Sequence, residues 1–206
     1  MLRGPRGPVP YVAMCSGEKV LAAPIVATAQ GIAYADESSV DRDRDGLLWS
    51  RVTSRPGAGE PHYRQMHPLR QRRAMRRLLC QVCAGPADHN EDGTLWLIQD
   101  QRDCWPGWPE GAQNTHPPLC LRCARIAVKS CPWLKDGYVA VRARSFISGA
   151  SGGLYPTGEA LTLQFEDPRI RWLQADQLVR ELVDCTFVDE ISCAARTGIP
   201  NHDLMS

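Results

Sequence analysis

Cys80-Gln81-Val82-Cys83 and Cys120-Leu121-Arg122-Cys123 are the two stretches on which the reading of this chain turns. Each is a C-x-x-C pair, a spacing that lets two sulfurs close on one ion while backbone N–H groups stabilise the thiolates. Together the pairs furnish the four soft donors of a tetrahedral zinc site. Between them Thr94–Gln99 (TLWLIQ) reads as a strand, and from about Leu119 a helix carries the second pair onward through Ala124, Ile126, Ala127 and Val128. A cysteine turn, then a hairpin, then a helix bearing the last two ligands is the order of a treble clef. A closed four-cysteine site leaves no coordination position open, so its Zn2+ is structural. Its binding energy, on the order of 10 kcal/mol, then counts as folding energy. His116 and Cys104 lie close enough in sequence to stand in for a ligand.

Nine cysteines, an odd number, do not suit a fully paired disulfide framework. Free thiolate pairs are best kept in a reducing compartment, so a cytoplasmic protein is expected. Cys15, Cys131, Cys185 and Cys193 read as small buried hydrophobes. A short apolar run, Val20 to Ala29, imitates a secretory leader, but Pro24 interrupts it and Glu18 precedes it, so it reads as strand.

The chain has 206 residues, 43% of them hydrophobic and 23% charged, with a net charge of +1. Its mean hydropathy is -0.32. These values suit a globular chain with a real core and exclude one disordered throughout. No run approaches the roughly 18 apolar residues of a spanning helix. Near-neutral charge means that any binding to nucleic acid must come from a local patch.

The expected fold class is α+β, with the zinc unit at 80–136. Residues 1–10 read as a flexible lead-in, and 137–188 as a β-hairpin and a helix packed on the zinc unit; 189–206 read as a frayed tail. In the hairpin, Tyr138–Arg144 is one strand, SGASGG (148–153) the turn and Leu161–Phe165 the return. Asp167-Pro168 then opens an amphipathic helix with Trp172, Ala175, Leu178, Val179 and Leu182 on one side.

Residues 11–79 read as a degenerate, metal-free copy of the same unit. Asp45-Gly46-Leu47-Leu48-Trp49 echoes Asp92-Gly93-Thr94-Leu95-Trp96, and Pro56-Gly57 echoes Pro106-Gly107. His67-Pro68-Leu69 answers His116-Pro117-Pro118-Leu119, each leading into a helix. Strands are expected at Tyr11–Cys15, Pro24–Ala29, Ile32–Ala35 and Leu47–Val52, and the copy closes with a helix from Pro68 to about Leu79.

That helix supplies the main binding candidate. Residues 61–83 carry six arginines and no acid. Arg70, Arg73 and Arg77 form one helical stripe, with Arg72 and Arg76 adjoining. Five clustered guanidinium groups would release counterions from DNA or RNA and bind in a salt-sensitive way. A non-enzymatic, zinc-stabilised module meeting nucleic acid through Arg70–Arg77 is therefore the first functional expectation. A protein-protein adaptor working through the Trp/Pro loop around Trp105 and Trp108 is the second.

The third is an enzyme. Asp88-His89 after the first cysteine pair, with Asn114 before the second, is similar to the HNH nucleases, in which a His activates water beside a metal. The chain departs from that pattern: Asp88 follows Cys83 by only five positions, and the helix reads ARIAVK after Cys123, without a final metal-binding His or Asn.

More broadly, HPLRQRRAMRRLLCQVC, DGTLWLI, HPPLCLRCARIA and DPRIRW with QLVREL resemble a group of small actinobacterial proteins of streptomycete type, over about residues 10–187. The resemblance implies a cytoplasmic, stand-alone protein and supplies no activity, substrate or catalytic residue.

Overall fold

The computed structural model describes residues 3–4, 7–134, 137–189 and 191. In the first half the strands are short. β1 (Arg3–Gly4) pairs with β2 (Gly7–Pro8), so part of the expected lead-in is paired. β3 (Ala13–Cys15) is followed by a hairpin of β4 (Ile25–Thr28) and β5 (Gly31–Tyr34). β6 (Pro61–Met66) returns to pair with β3 and runs into α1 (Pro68–Arg77). Pro68 occupies the first turn of α1, where its missing N–H costs nothing, and Leu78 ends the helix in the left-handed region at φ 48°. The Leu47–Val52 strand is replaced by isolated bridges, from Leu48 to Arg42, Trp49 to Ala175 and Val52 to Val20.

The second half builds the main sheet. β7 (His89–Asn90), β8 (Gly93–Gln99) and β9 (Gln113–Asn114) precede α2 (Leu121–Ser130). β10 (Tyr138–Leu154), β11 (Glu159–Gln164) and β12 (Leu173–Phe187) follow. Their order is β7-β8-β10-β12-β9, with β11 on β10, and every pairing is antiparallel. The chain is thus mixed α and β, with two α-helices among the described residues.

The expected C-terminal helix is corrected here. Pro168–Trp172 makes a single 3-10 turn, and the rest is β12, paired along its length with β10. A β-bulge explains the misleading pattern. Gly152 pairs with Ala175 and Ser151 with Gln177, so Asp176 is an extra residue. An extra residue resets the period of two, which puts buried Ala175 and Leu178 three apart, as on a helix. SGASGG is likewise no turn: β10 runs through it, and the chain reverses at 155–158. Gly152 lies where a Cβ would overlap the Gln174 carbonyl.

The bulge also docks the N-terminal half. The Ala175 N–H donates to the Leu48 carbonyl at 2.9 Å, and the Ser50 N–H donates to the Ala175 carbonyl at 2.9 Å. The Ser50 hydroxyl reaches the Asp176 carboxylate. Beyond this, the Gln71 side chain of α1 bonds both backbone groups of Leu178, and then β9 pairs at Arg180 and Glu181. The far edge of β12 is therefore covered piece by piece, which blocks pairing with another chain.

β8 separates two cores. Trp96 and Ile98 face a cluster with Leu47, Trp49, Met75, Leu178 and Leu182, so both halves of the chain share one core. Leu95 and Leu97 face a second cluster with Cys80, Val82, Leu119, Cys123 and Ala124. A strand buried on both faces reads as a continuous apolar run, as GTLWLI does.

Candidate metal centre

Cys80 and Cys83 sit in a turn just past α1. The Cys80 N–H donates to the Gly85 carbonyl at 2.7 Å, and the Ala84 N–H to the Cys80 carbonyl at 2.9 Å. Ala84 takes φ 60°, the left-handed conformation that closes the turn. From behind, the Tyr11 N–H bonds the Val82 carbonyl and the Val12 N–H bonds the Gln81 carbonyl. The N-terminal segment thus braces the turn.

Pro117 and Pro118 keep the approach to α2 extended. This approach threads between the cysteine turn and β8: the Gln81 N–H donates to the Pro118 carbonyl, and the Leu119 N–H to the Leu95 carbonyl. Cys120 is then the N-cap of α2, and its side chain makes no cap hydrogen bond. Cys123 lies in the first turn and is buried. A helix N-terminus favours negative charge, and α2 has no acid in its first turn to compete for it.

These elements bring the four sulfurs of Cys80, Cys83, Cys120 and Cys123 within 4.8 Å of one another. The Cys83 and Cys120 sulfurs are 3.9 Å apart. Four ligands placed tetrahedrally at a metal–sulfur distance of about 2.3 Å would have sulfurs about 3.8 Å apart. The donor set therefore fits a metal ion. Neither His116 nor Cys104 belongs to the group, so no stand-in ligand is needed.

Burial pushes the Cys80 thiol up to about 11, against N–H groups of Cys120, Cys83 and Val82 that favour its thiolate. Burial and the Cys80 charge push Cys123 higher still. Burial acts the same way at Cys83, but the Gly85 N–H and the neighbouring thiols outweigh it and hold the group below its ordinary value. Four crowded sulfurs are costly as thiolates unless a cation compensates them, and a bound divalent ion supplies that charge.

The basic stripe expected on α1 is corrected. Arg70 is 5% exposed, and its guanidinium grips Glu18 and the Ala13 carbonyl. Arg72 lies over the Trp49 ring at 4.3 Å, and Arg76 bonds Asp43 at 2.5 Å and Asp45 at 3.2 Å. Only Arg73 and Arg77 of the five are exposed, and Arg73 bonds the Tyr11 hydroxyl. The arginines satisfy acids and rings elsewhere in the chain, as near-zero net charge allows.

His89 is exposed on β7, with Nδ1 3.0 Å from the Thr94 hydroxyl, and Asp88 is ion-paired to Arg142. Among the described residues no metal-ligating group includes His89. The Trp/Pro loop is divided: Trp108 is buried in the main core, whereas Trp105 stays exposed, its Nε1 donating to the Glu110 carbonyl at 3.1 Å. Cys15 is buried and Cys131 and Cys185 are half-buried, whereas Cys193 lies outside the described residues. Sequence reasoning missed the Glu18–Arg70 pair and the burial of Asn114, which it places only in the nuclease-like pattern, because burial of a polar residue carries no local signal. No helix among the described residues is long and apolar enough to cross a membrane. Compared with protein-family models, curated proteins and solved structures, the chain matches none.

Proposed function

We propose that the four cysteines hold one structural Zn2+ in a treble-clef arrangement, and that the protein is a non-enzymatic binding module stapled by that ion. The observation that carries this is the mutual approach of four sulfurs from a backbone-braced turn and a helix N-terminus. The β7–β8 hairpin stands between them in the chain, as a treble clef requires. All-sulfur ligation selects zinc over the hard cations, and four protein ligands leave no place for substrate. The ion would be held in the reducing cytoplasm, where thiolates persist.

The segment ending in α1 is read as a metal-free copy of the unit. Gly46 and Gly93 both take positive φ after an aspartate, each precedes a buried Trp49 or Trp96, and each unit ends in a helix. A nucleic-acid contact, if made by α1, is left with Arg73 and Arg77. Two phosphate contacts give a salt slope of about two, against about five for the whole stripe.

Metal analysis of the purified chain tests the reading. One zinc per chain, lost in the Cys80→Ser/Cys123→Ser variant, is expected. A chain that folds without metal under reducing conditions would refute it. A salt slope near five for DNA or RNA would restore the full basic stripe.

A further inference from the structure

The four cysteines of the metal centre are not equivalent toward solvent. Cys80 and Cys123 are 0% and 2% exposed, and both belong to the second core beside Leu119 and Ala124. Cys83 is exposed, and Cys120 is half-buried against the edge of that core. Each C-x-x-C pair thus puts one cysteine inside and one outside. The two outer cysteines come from different pairs, yet their sulfurs meet at 3.9 Å.

Local backbone sharpens the difference. N–H groups of Cys120, Cys83 and Val82 engage the Cys80 sulfur, and Cys123 is fixed in the first turn of α2. Cys120 precedes that turn: its backbone is extended at φ -83° and ψ 153°, and its side chain makes no cap hydrogen bond. At the other outer cysteine, a glycine leaves the sulfur uncovered. A Cβ added to Gly85 would lie 3.5 Å from Cys83 Sγ and, its chain neighbours aside, would meet nothing else within 4 Å.

Peroxides oxidise thiolates, and susceptibility follows thiolate character and exposure. A sulfur oxidised beside a second thiolate is resolved as a disulfide. Cys104 is exposed as well, but it stands outside the sulfur group. We propose that Cys83 and Cys120 are a pair sensitive to hydrogen peroxide, which closes to a disulfide and opens the metal centre; this rests on the zinc centre proposed above.

Cys83 Sγ attacks one peroxide oxygen. The S–O bond forms, the O–O bond breaks, and the leaving hydroxide takes a proton from solvent to depart as water. Cys83 is then a sulfenic acid, oxidised by two electrons, and the peroxide is reduced by two. Cys120 Sγ next attacks the Cys83 sulfur. The S–S bond forms, the S–O bond breaks, and the second hydroxide leaves as water with a second proton. Two thiolates, one hydrogen peroxide and two protons therefore give one disulfide and two waters. Only Cys80 and Cys123 remain as donors, too few for a tetrahedral zinc site, so the ion is lost. The disulfide joins the same turn and helix N-terminus that the ion joined, and both inner cysteines keep their places in the core. A thiol reductant restores the four ligands.

The full, zinc-loaded chain, freed of reductant, would be treated with hydrogen peroxide. Released zinc would be followed with a chromogenic chelator and disulfides mapped by tandem mass spectrometry. Zinc release together with a Cys83–Cys120 link is expected, and dithiothreitol with added zinc should reverse both. Cys104→Ser should respond as the parent chain does. Gly85→Val keeps all four ligands and covers Cys83, so it should retain zinc and slow the release several-fold. Cys83→His replaces the exposed thiolate with another zinc ligand that forms no disulfide, and should slow release about tenfold or more. The oxidised chain should melt above the reduced chain stripped by a chelator, because its disulfide still ties the two elements.

A first disulfide at Cys80–Cys83 or Cys120–Cys123 would overturn the proposal. So would zinc retained through peroxide treatment, or release at the parental rate from both Gly85→Val and Cys83→His. A chain that carries no metal before peroxide is added would refute the zinc reading by itself. The disulfide map of that same chain would then decide the pair: a Cys83–Cys120 link would support it, and any other first link would refute it.

Discussion

Glu18 and Arg70, 52 positions apart, meet in a two-pronged ion pair: Arg70 Nη1 lies 2.6 Å from Oε1 and Nη2 lies 2.7 Å from Oε2. Both residues are buried, and the carboxylate is further held by the N–H groups of Cys15 and Arg55 at 2.8 Å. The pair joins the loop after β3 to the first turn of α1. Removing one partner strands a buried charge, so Glu18→Ala should cost about 3–5 kcal/mol of stability. The Glu18→Ala/Arg70→Ala double variant should lose less than the sum of the single variants, as chemical denaturation would measure.

The same pair makes stability depend on acid. Burial raises the Glu18 carboxyl, but Arg70 and the two backbone donors outweigh it and bring the group to about 2, from an ordinary 4.5. A carboxyl depressed on folding contributes stability that is present above pH 4.5 and lost as the pH falls toward 2. Unfolding free energy should therefore decline across that window. The decline should flatten in Glu18→Gln, which cannot titrate. An equally steep decline in that variant would show that other carboxylates carry the effect.

Metal removal should act on the fold as a whole. The Cys80, Cys123 and Ala124 cluster shares β8 with the main core, so a chelator should lower Tm in one transition instead of melting α2 alone. Cys104→Ser and His116→Ala should keep one zinc per chain, because neither residue joins the sulfur group. Loss of metal in either variant would require a different ligand set.

Gly152 tests the bulge. A Cβ at this position would overlap the Gln174 carbonyl, and neighbouring Ala175 is where the N-terminal half docks. Gly152→Ala should destabilise by roughly 2 kcal/mol, within the range for overpacking a core, and Gly158→Ala should not show this clash. Gly158 has open space around its Cα, and its φ of 72° carries only the backbone cost. Comparison of the two midpoints in urea separates steric overlap from backbone strain.

By itself the sequence determined what short-range chemistry encodes. Pro68 marks the start of α1, the C-x-x-C spacings mark the four cysteines that cluster, and the apolar run Leu95–Ile98 marks β8 as a strand. Each of these depends on neighbours a few positions away. Only tertiary structure decided the C-terminal strand and the fate of the arginines. Asp176 resets the alternation of β12, and a bulge is specified by the strand opposite, which no local pattern contains. Likewise Arg70, Arg72 and Arg76 look alike along the helix. Glu18, Trp49 and Asp43, brought from distant positions, turn three of the expected surface charges into internal contacts. Arg180 and Asn114 remain without acceptors for their inner donors, and that too is visible only once β9 lies beside β12.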